Sequence, residues 1–293
     1  MVEQVVFSGG GNRCWWQAGF WDVAKPALDL APRTIGSVSA GAATACMLYA
    51  NDSATTMKYY RAALKDNRRN AYWGNLFRRA NDPANPHGAR VFPHAAIYRR
   101  ALNEILGGDG FVRLKRTAPE IRILFARLPR GLGPHAALLL GVVAYNVDKH
   151  WKRSLHPTIG RRVGFRPEVT RLNDCEHIDD LVSLIIASSC TPPFTPIEHR
   201  GGRPTLDGGM VDNVPIDAVD DGPTTLVLLT RRYPGRAEVF THQGRLYVQP
   251  SQKVPVSAWD YTDPDGMAAT YDQGRRDAER FIASAERKAY AER

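Results

Sequence analysis

The chain has no apolar run approaching the eighteen or so residues that a helix needs to cross a bilayer; its longest candidate, Ala136 to Tyr145, is far too short. No membrane-spanning helix is therefore expected. The 293 residues include only 4 cysteines, at positions 14, 46, 175 and 190, with no C-x-x-C pair. That argues against a disulfide scaffold or a thiolate-bound zinc and for buried, reduced thiols. The 8 histidines form no H-E-x-x-H and no cluster with carboxylates, so neither a metal nor an organic cofactor is expected. No basic leader precedes the first apolar segment, Val5-Val6-Phe7. A cytoplasmic protein, at most peripheral on a membrane, is the expectation. Internal repeats and long flexible linkers are also missing, which leaves no place to divide the chain.

What is present is an ordinary globular composition, 43% hydrophobic and 24% charged, in a chain long enough to bury a sizeable core. Lysine and arginine exceed aspartate and glutamate by 39 to 30, for a formal charge of +9. The basic pairs are dispersed: Arg68/Arg69, Arg78/Arg79, Arg99/Arg100, Arg161/Arg162, Arg231/Arg232 and Arg275/Arg276. Such a balance suits an anionic membrane surface or a nucleic acid. Because no nucleic-acid recognition module accompanies it, nucleic acid ranks last.

Three stretches carry chemistry. The strand Val5-Val6-Phe7 breaks into Gly9-Gly10-Gly11-Asn12-Arg13, where bare backbone N–H groups can cradle an anion or an oxyanion. A dinucleotide site also uses a strand, glycines and a helix, but G-x-G-x-x-G is not met. The second stretch is Thr34 to Met47, a short apolar strand that turns at Ser39 into an alanine-rich helix. Small neighbours permit a tight strand-to-helix turn, and the helix start aims its N–H groups at the serine. Ser39 is the candidate nucleophile. The third is Thr205-Leu206-Asp207-Gly208-Gly209, where an aspartate at a strand end stands on a turn with little steric cover.

Elsewhere the spacing predicts helices over Cys14–Leu28, Ala40–Ala50, from Asp52 or Ser53 to Lys65, His94–Leu106, Ile178–Ala187 behind an Asp174 cap, and Asp265–Arg287. Strands are predicted at Glu120–Leu128, Val163–Leu172, Thr224–Thr230 and Arg245–Gln249. Ala136–Val147 reads as a buried helix or as a lid over an acyl pocket. Trp73 and Phe77 sit among arginines ahead of a proline-rich loop, Asn81 to His87. Aromatic rings beside cations suit a water–lipid interface, or else simply pack on the core.

In this order, the Gly-Gly-Gly-Asn-Arg turn, the serine elbow, the Ala-Ser-Ser-x-x-Pro-Pro-Phe segment and Asp-Gly-Gly resemble the patatin-like phospholipase family. The resemblance runs from Val5 to Phe281 and is weakest between Asn51 and Asp174. It implies a single α/β domain over residues 1–293, with a central, mostly parallel sheet, helices on both faces and a variable insert around 51–174. It also implies a Ser-Asp dyad of Ser39 and Asp207, an oxyanion hole from Gly9, Gly10, Gly11 and Arg13, and a lipid acyl ester as substrate. Two positions depart from the family pattern: Ser37 stands where it has the elbow's leading glycine, and Cys14 where a glycine commonly follows the arginine. A non-catalytic binding protein that keeps the fold is the alternative. A histidine base is the rival chemistry, with His199 or His242 as candidates.

Overall fold

The computed structural model describes residues 2–77, 91–147 and 155–284. The proline-rich stretch and the Arg78/Arg79 pair lie outside them, as does the end of the predicted closing helix.

The first strand, β1 (Gln4–Phe7), is buried at all four positions, as expected of a strand covered on both faces. It pairs in parallel with β2 (Thr34–Val38) on one side and β7 (Thr225–Leu228) on the other. Outward from these lie β3 (Glu120–Arg127), parallel to β2, and β9 (Arg245–Val248), parallel to β7. The five form the parallel centre of the sheet. Its margins run antiparallel: β4 (Arg166–Arg171) and β6 (Arg203–Asp207) on β3, β5 (Glu198–Arg200) on β6, and β8 (Val239–His242) on β9.

Alternation along the strands sends side chains to two faces. Val5, Phe7, Ile35, Ile121, Ile123 and Leu226 join a large core beneath α1 (Trp15–Ala27), α2 (Ala40–Ala50), α4 (His94–Leu106), α8 (Ile178–Ser188) and α10 (Pro264–Ala283). Val6, Val227 and Tyr247 face the other way onto Val214 and Val219. Ala126 and Leu206 on that face meet residues of α6 (Pro134–Asn146) and α9 (Gly209–Asp212). Helices thus cover both faces of one mixed, mostly parallel sheet. The remaining helices are α3 (Ser53–Leu64), α5 (Asp109–Thr117) and α7 (Ile159–Arg162). Among the described residues no helix is long and apolar enough to cross a membrane.

Two expectations change. α6 is not a buried helix: Ala137 and Ala144 are covered, whereas Leu139 is 68% and Val143 53% exposed. Its near-continuous apolar sequence hid which side meets the protein. α8 is capped by His177, whose N–H donates to Asp180 Oδ2 at 3.0 Å. Asp174 instead accepts from Arg171 N one turn earlier.

The edge of β3 brings distant segments together. β4 pairs with Arg122–Arg127 and so occupies one edge throughout. The other edge is shared: β2 pairs with residues 120–124 and β6 with residues 125–127. The ends of β2 and β6 therefore meet head-on, with Val38 opposite Leu124 and Asp207 opposite Phe125. Consecutive positions on β3 carry, on one side, the residue before Ser39 and Asp207 itself.

Candidate active site

Ser39 leaves β2 with φ 54° and ψ −135°, a region that side chains other than glycine occupy only under compulsion, at about 1 to 3 kcal/mol. Packing supplies the compulsion. α2 starts at the next residue and presses on β1 so closely that a Cβ on Gly41 would lie 2.5 Å from Ser8 O and 2.6 Å from Phe7 O. Only glycine fits there, and the chain must turn at Ser39 to reach it. The buried hydroxyl of Ser188, at the end of α8, accepts from Ser39 N at 2.7 Å and donates to Leu124 O at 2.6 Å. It ties the elbow to β3.

Ser39 Oγ donates to Asp207 Oδ2 at 2.7 Å. Both residues are buried, 7% and 8% exposed. Gly209 N–H donates to Asp207 Oδ1 at 2.7 Å, and Thr191 Oγ1 to Oδ2 at 3.3 Å. Burial pushes the Asp207 carboxyl up from 3.8 to about 6, against the pull of these three donors. A carboxylate so placed can take a hydroxyl proton near neutral pH. Among the described residues no histidine bonds either side chain. His199 is exposed on β5, and His242 closes β8, the strand farthest from Ser39 on the other side of the sheet.

The glycine turn forms the opposite wall. Gly9 N–H is already committed to Asn213 O at 3.0 Å. A Cβ on Gly9 would lie 3.2 Å from Ser39 Cβ and 2.6 Å from Asn213 Oδ1, so its part is to let the serine come close. Among the described residues nothing accepts from the N–H groups of Gly10 and Gly11. Gly11 holds φ at +57°, and a Cβ there would strike Ala258 O at 2.1 Å. Arg13 folds back on the turn: its N–H and Nε both donate to Gly10 O, at 3.3 and 3.1 Å. Ser39, Asp207, Gly10, Gly11 and Arg13 line one cleft of about 170 Å³, with Thr191, Met210 and Trp259 among its other walls.

Both departures from the family pattern are absorbed. Ser37 is fully buried and donates its hydroxyl to Arg122 O on β3 at 3.0 Å. Cys14 points its thiol at Ser8 O, and burial pushes that thiol up to about 12, which leaves it a weak donor and not a thiolate. Ser188, Thr191 and Asn213 are contributors that spacing alone did not single out. The Ala-Ser-Ser segment was the only signal for Ser188.

The chain is thus an α/β protein with a strained serine elbow facing a buried carboxylate across a glycine-walled cleft. It belongs to the patatin-like phospholipase family, whose model matches residues 5–220, and that family is one of lipid acyl hydrolases. No curated protein matches it. Among solved structures, that of VipD from Legionella pneumophila is similar at 12% identity and a TM-score of 0.49, covering 96% of this chain and 67% of that one.

Proposed function

We propose that the protein is a serine lipid acyl hydrolase acting through Ser39 and Asp207 and an acyl-enzyme intermediate. The observation that carries this reading is the 2.7 Å hydrogen bond from Ser39 Oγ to Asp207 Oδ2. As Ser39 Oγ attacks the ester carbonyl carbon, its proton passes to Asp207. The carbonyl π bond becomes an oxyanion, held by the N–H groups of Gly10 and Gly11 and of Ala40 at the start of α2. Each such donor is typically worth about 3 to 4 kcal/mol of transition-state stabilisation. When the tetrahedral intermediate collapses, the ester C–O bond breaks and the leaving alkoxide takes the proton from Asp207. Water, deprotonated by the same carboxylate, then attacks the acyl-enzyme and releases the free acid, and Ser39 recovers a proton.

Gly9 acts in this scheme by making room, and Arg13 by bracing the glycine turn. The substrate class is an acyl-ester lipid such as a phospholipid, met at a membrane surface. Trp73 and Phe77, 68% and 94% exposed, support peripheral docking there. The test is fluorophosphonate labelling together with mass spectrometry of a mixed-lipid incubation. Wild type is expected to be labelled and to release fatty acid. Ser39→Ala is expected to lose both signals, and Asp207→Asn to lose turnover, with folds intact. A wild-type protein that stays unlabelled under conditions that label a known serine hydrolase would instead favour the non-catalytic reading.

A further inference from the structure

Each N–H group assigned to the oxyanion is one end of a trans peptide whose carbonyl points the opposite way, and each of those carbonyls accepts twice. Gly10 O, behind Gly11 N–H, takes Arg13 N and Nε at 3.3 and 3.1 Å. Ser39 O, behind Ala40 N–H, takes Ala42 N and Ala43 N at 2.9 and 3.4 Å. Gly9 O, behind Gly10 N–H, takes Thr230 Oγ1 at 2.7 Å and Asn213 Nδ2 at 3.0 Å. The first two carbonyls are served from their own turn. The last depends on side chains that lie 221 and 204 residues further along the chain. We propose that Thr230 is a positioning residue of the oxyanion hole, which aims and polarises the Gly10 N–H from the far end of the Gly9–Gly10 peptide. The proposal rests on the reading of Ser39 as the acyl acceptor.

Thr230 follows the end of β7 by two residues, is 1% exposed and is not among the walls of the cleft. It therefore acts through the peptide and not on the substrate. The fit between the two is close: a Cβ on Gly10 would lie 2.4 Å from Thr230 Oγ1 and 2.7 Å from its Cβ. Glycine at position 10 is what lets the hydroxyl reach past to Gly9 O.

A buried hydroxyl donating to a carbonyl draws electron density onto that oxygen and leaves the N–H of the same amide more positive. Hydrogen bonds linked in this way strengthen one another by about 10 to 30% each. The same bond holds the peptide plane against the rotations that consecutive glycines otherwise permit. Both effects count most once charge has developed on the substrate oxygen, so they act on kcat and leave KM alone.

The experiment measures kcat and KM on 4-nitrophenyl acetate for wild type, Thr230→Val, Thr230→Ala and Thr230→Ser. It also titrates, by NMR, the adduct of each with a trifluoromethyl ketone isotopically labelled at its carbonyl carbon. In that adduct Ser39 Oγ has added to the carbonyl carbon, its proton has passed to Asp207, and the hemiketal oxygen has no leaving group to expel. The pH at which that oxygen ionises reports the donors that face it. Thr230→Val and Thr230→Ala are expected to lose kcat about tenfold with KM unchanged. Their hemiketal ionisation should move up by about one pH unit, the same factor. Thr230→Ser keeps the donor and should hold kcat within about twofold of wild type, with the ionisation in place. Thr230→Ala carries the test if the valine methyl, set against Gly9 O, unfolds the protein. Lower thermal stability with kcat and hemiketal ionisation both unchanged would make Thr230 a packing residue and overturn the proposal. Failure of the hydrolytic reading looks different: wild type itself would neither turn over the ester nor form a Ser39 adduct.

Discussion

Asp207 carries an electrostatic cost that its three hydrogen bonds only partly offset. Its displacement from 3.8 to about 6 corresponds to roughly 3 kcal/mol of disfavoured charge in the folded protein. Two measurements follow from the sign. In the proposed mechanism the group is the base in its ionised form, so kcat/KM on a soluble ester should be level above pH 7 and fall about tenfold per pH unit below about 6. A rate that held steady down to pH 5 would remove Asp207 as the base. For stability, a carboxyl raised on folding stabilises the fold only when protonated. That contribution is complete below 3.8 and lost as the pH rises through about 6. Asp207→Asn, which avoids the buried charge, should therefore be more stable than wild type at pH 7.5 by about 1 to 3 kcal/mol. The advantage should shrink toward pH 4 in urea titrations. A second residue-scale prediction concerns Ser188. Ser188→Ala strips Ser39 N–H of its acceptor and Leu124 O of a donor, at about 1 to 3 kcal/mol. Loosening the elbow should also cut kcat about ten- to hundredfold with little change in KM. Lost stability with an unchanged kcat would make Ser188 purely structural.

At the scale of elements, the short helix α9 holds the aspartate in place through Gly209 N–H, and its other end is anchored by a polar cluster. Asp212, 1% exposed, accepts from Val214 N at 2.9 Å and meets His156 Nδ1 at 3.0 Å; His156 Nε2 lies 3.0 Å from Tyr247 OH on β9. Burial raises the Asp212 carboxyl, and the His156 contact offsets only part of that rise. Removing His156 should leave the buried Asp212 carboxyl short of a hydrogen-bond partner, at about 1 to 3 kcal/mol. His156→Ala is therefore expected to lower the denaturation midpoint and kcat together, and His156→Ala with Asp212→Asn to recover most of both. A single mutant as stable as wild type would show that the cluster does not hold α9. The same scale explains what the sequence made legible. Gly9–Gly11, Ser39, Gly41 and Asp207–Gly209 were readable because backbone constraints act within a few residues and demand glycine, serine or aspartate at fixed offsets. The central strands and α4 were readable from periodicity. Ser188, Thr191, Asn213 and His156 were not, because a polar side chain's partner is set by tertiary pairing that no local spacing records. α5 escaped because it buries only Gly110 and Leu114, too little to write an apolar stripe. The antiparallel entry of β6 onto the shared edge of β3, which brings Asp207 to Ser39, is a property of the sheet and of neither strand alone.

For the molecule as a whole, the proposed function requires a route from a lipid surface to the buried Ser39 and Asp207. Trp73, Leu76 and Phe77 are 68%, 52% and 94% exposed, beside the exposed Arg68 and Arg69. They are linked to the cleft by a run of ring contacts: Trp73 to Phe92 at 5.8 Å, Phe92 to Phe194 at 5.0 Å, and Phe194 stacked on Trp259 at 4.7 Å. Trp259 lines the cleft that holds Ser39. On α6 the exposed Leu139 and Val143 flank Gly141, where a Cβ would lie 3.2 Å from Sδ of Met210, another cleft residue. One apolar patch thus connects to the cleft through Phe92, Phe194 and Trp259, and the other lies against Met210, on a chain of net charge +9. Under the proposed function, this combination is expected to draw the protein to an anionic bilayer by charge and to hold it there by rings at headgroup depth. Burying each large side chain is worth about 1.5 to 3 kcal/mol when complete. The Trp73→Ala, Phe77→Ala double mutant should therefore bind anionic vesicles at least about tenfold more weakly and lose lipid hydrolysis in proportion. Its turnover of a soluble ester should stay near wild type, because neither side chain reaches the dyad. Raising the salt should weaken vesicle binding of both proteins, since attraction between exposed charges is screened within about 10 Å at 0.1 M. Equal activity of mutant and wild type on vesicles as well as on the soluble ester would mean that the aromatics serve the fold, and that the lipid reaches Ser39 by another face.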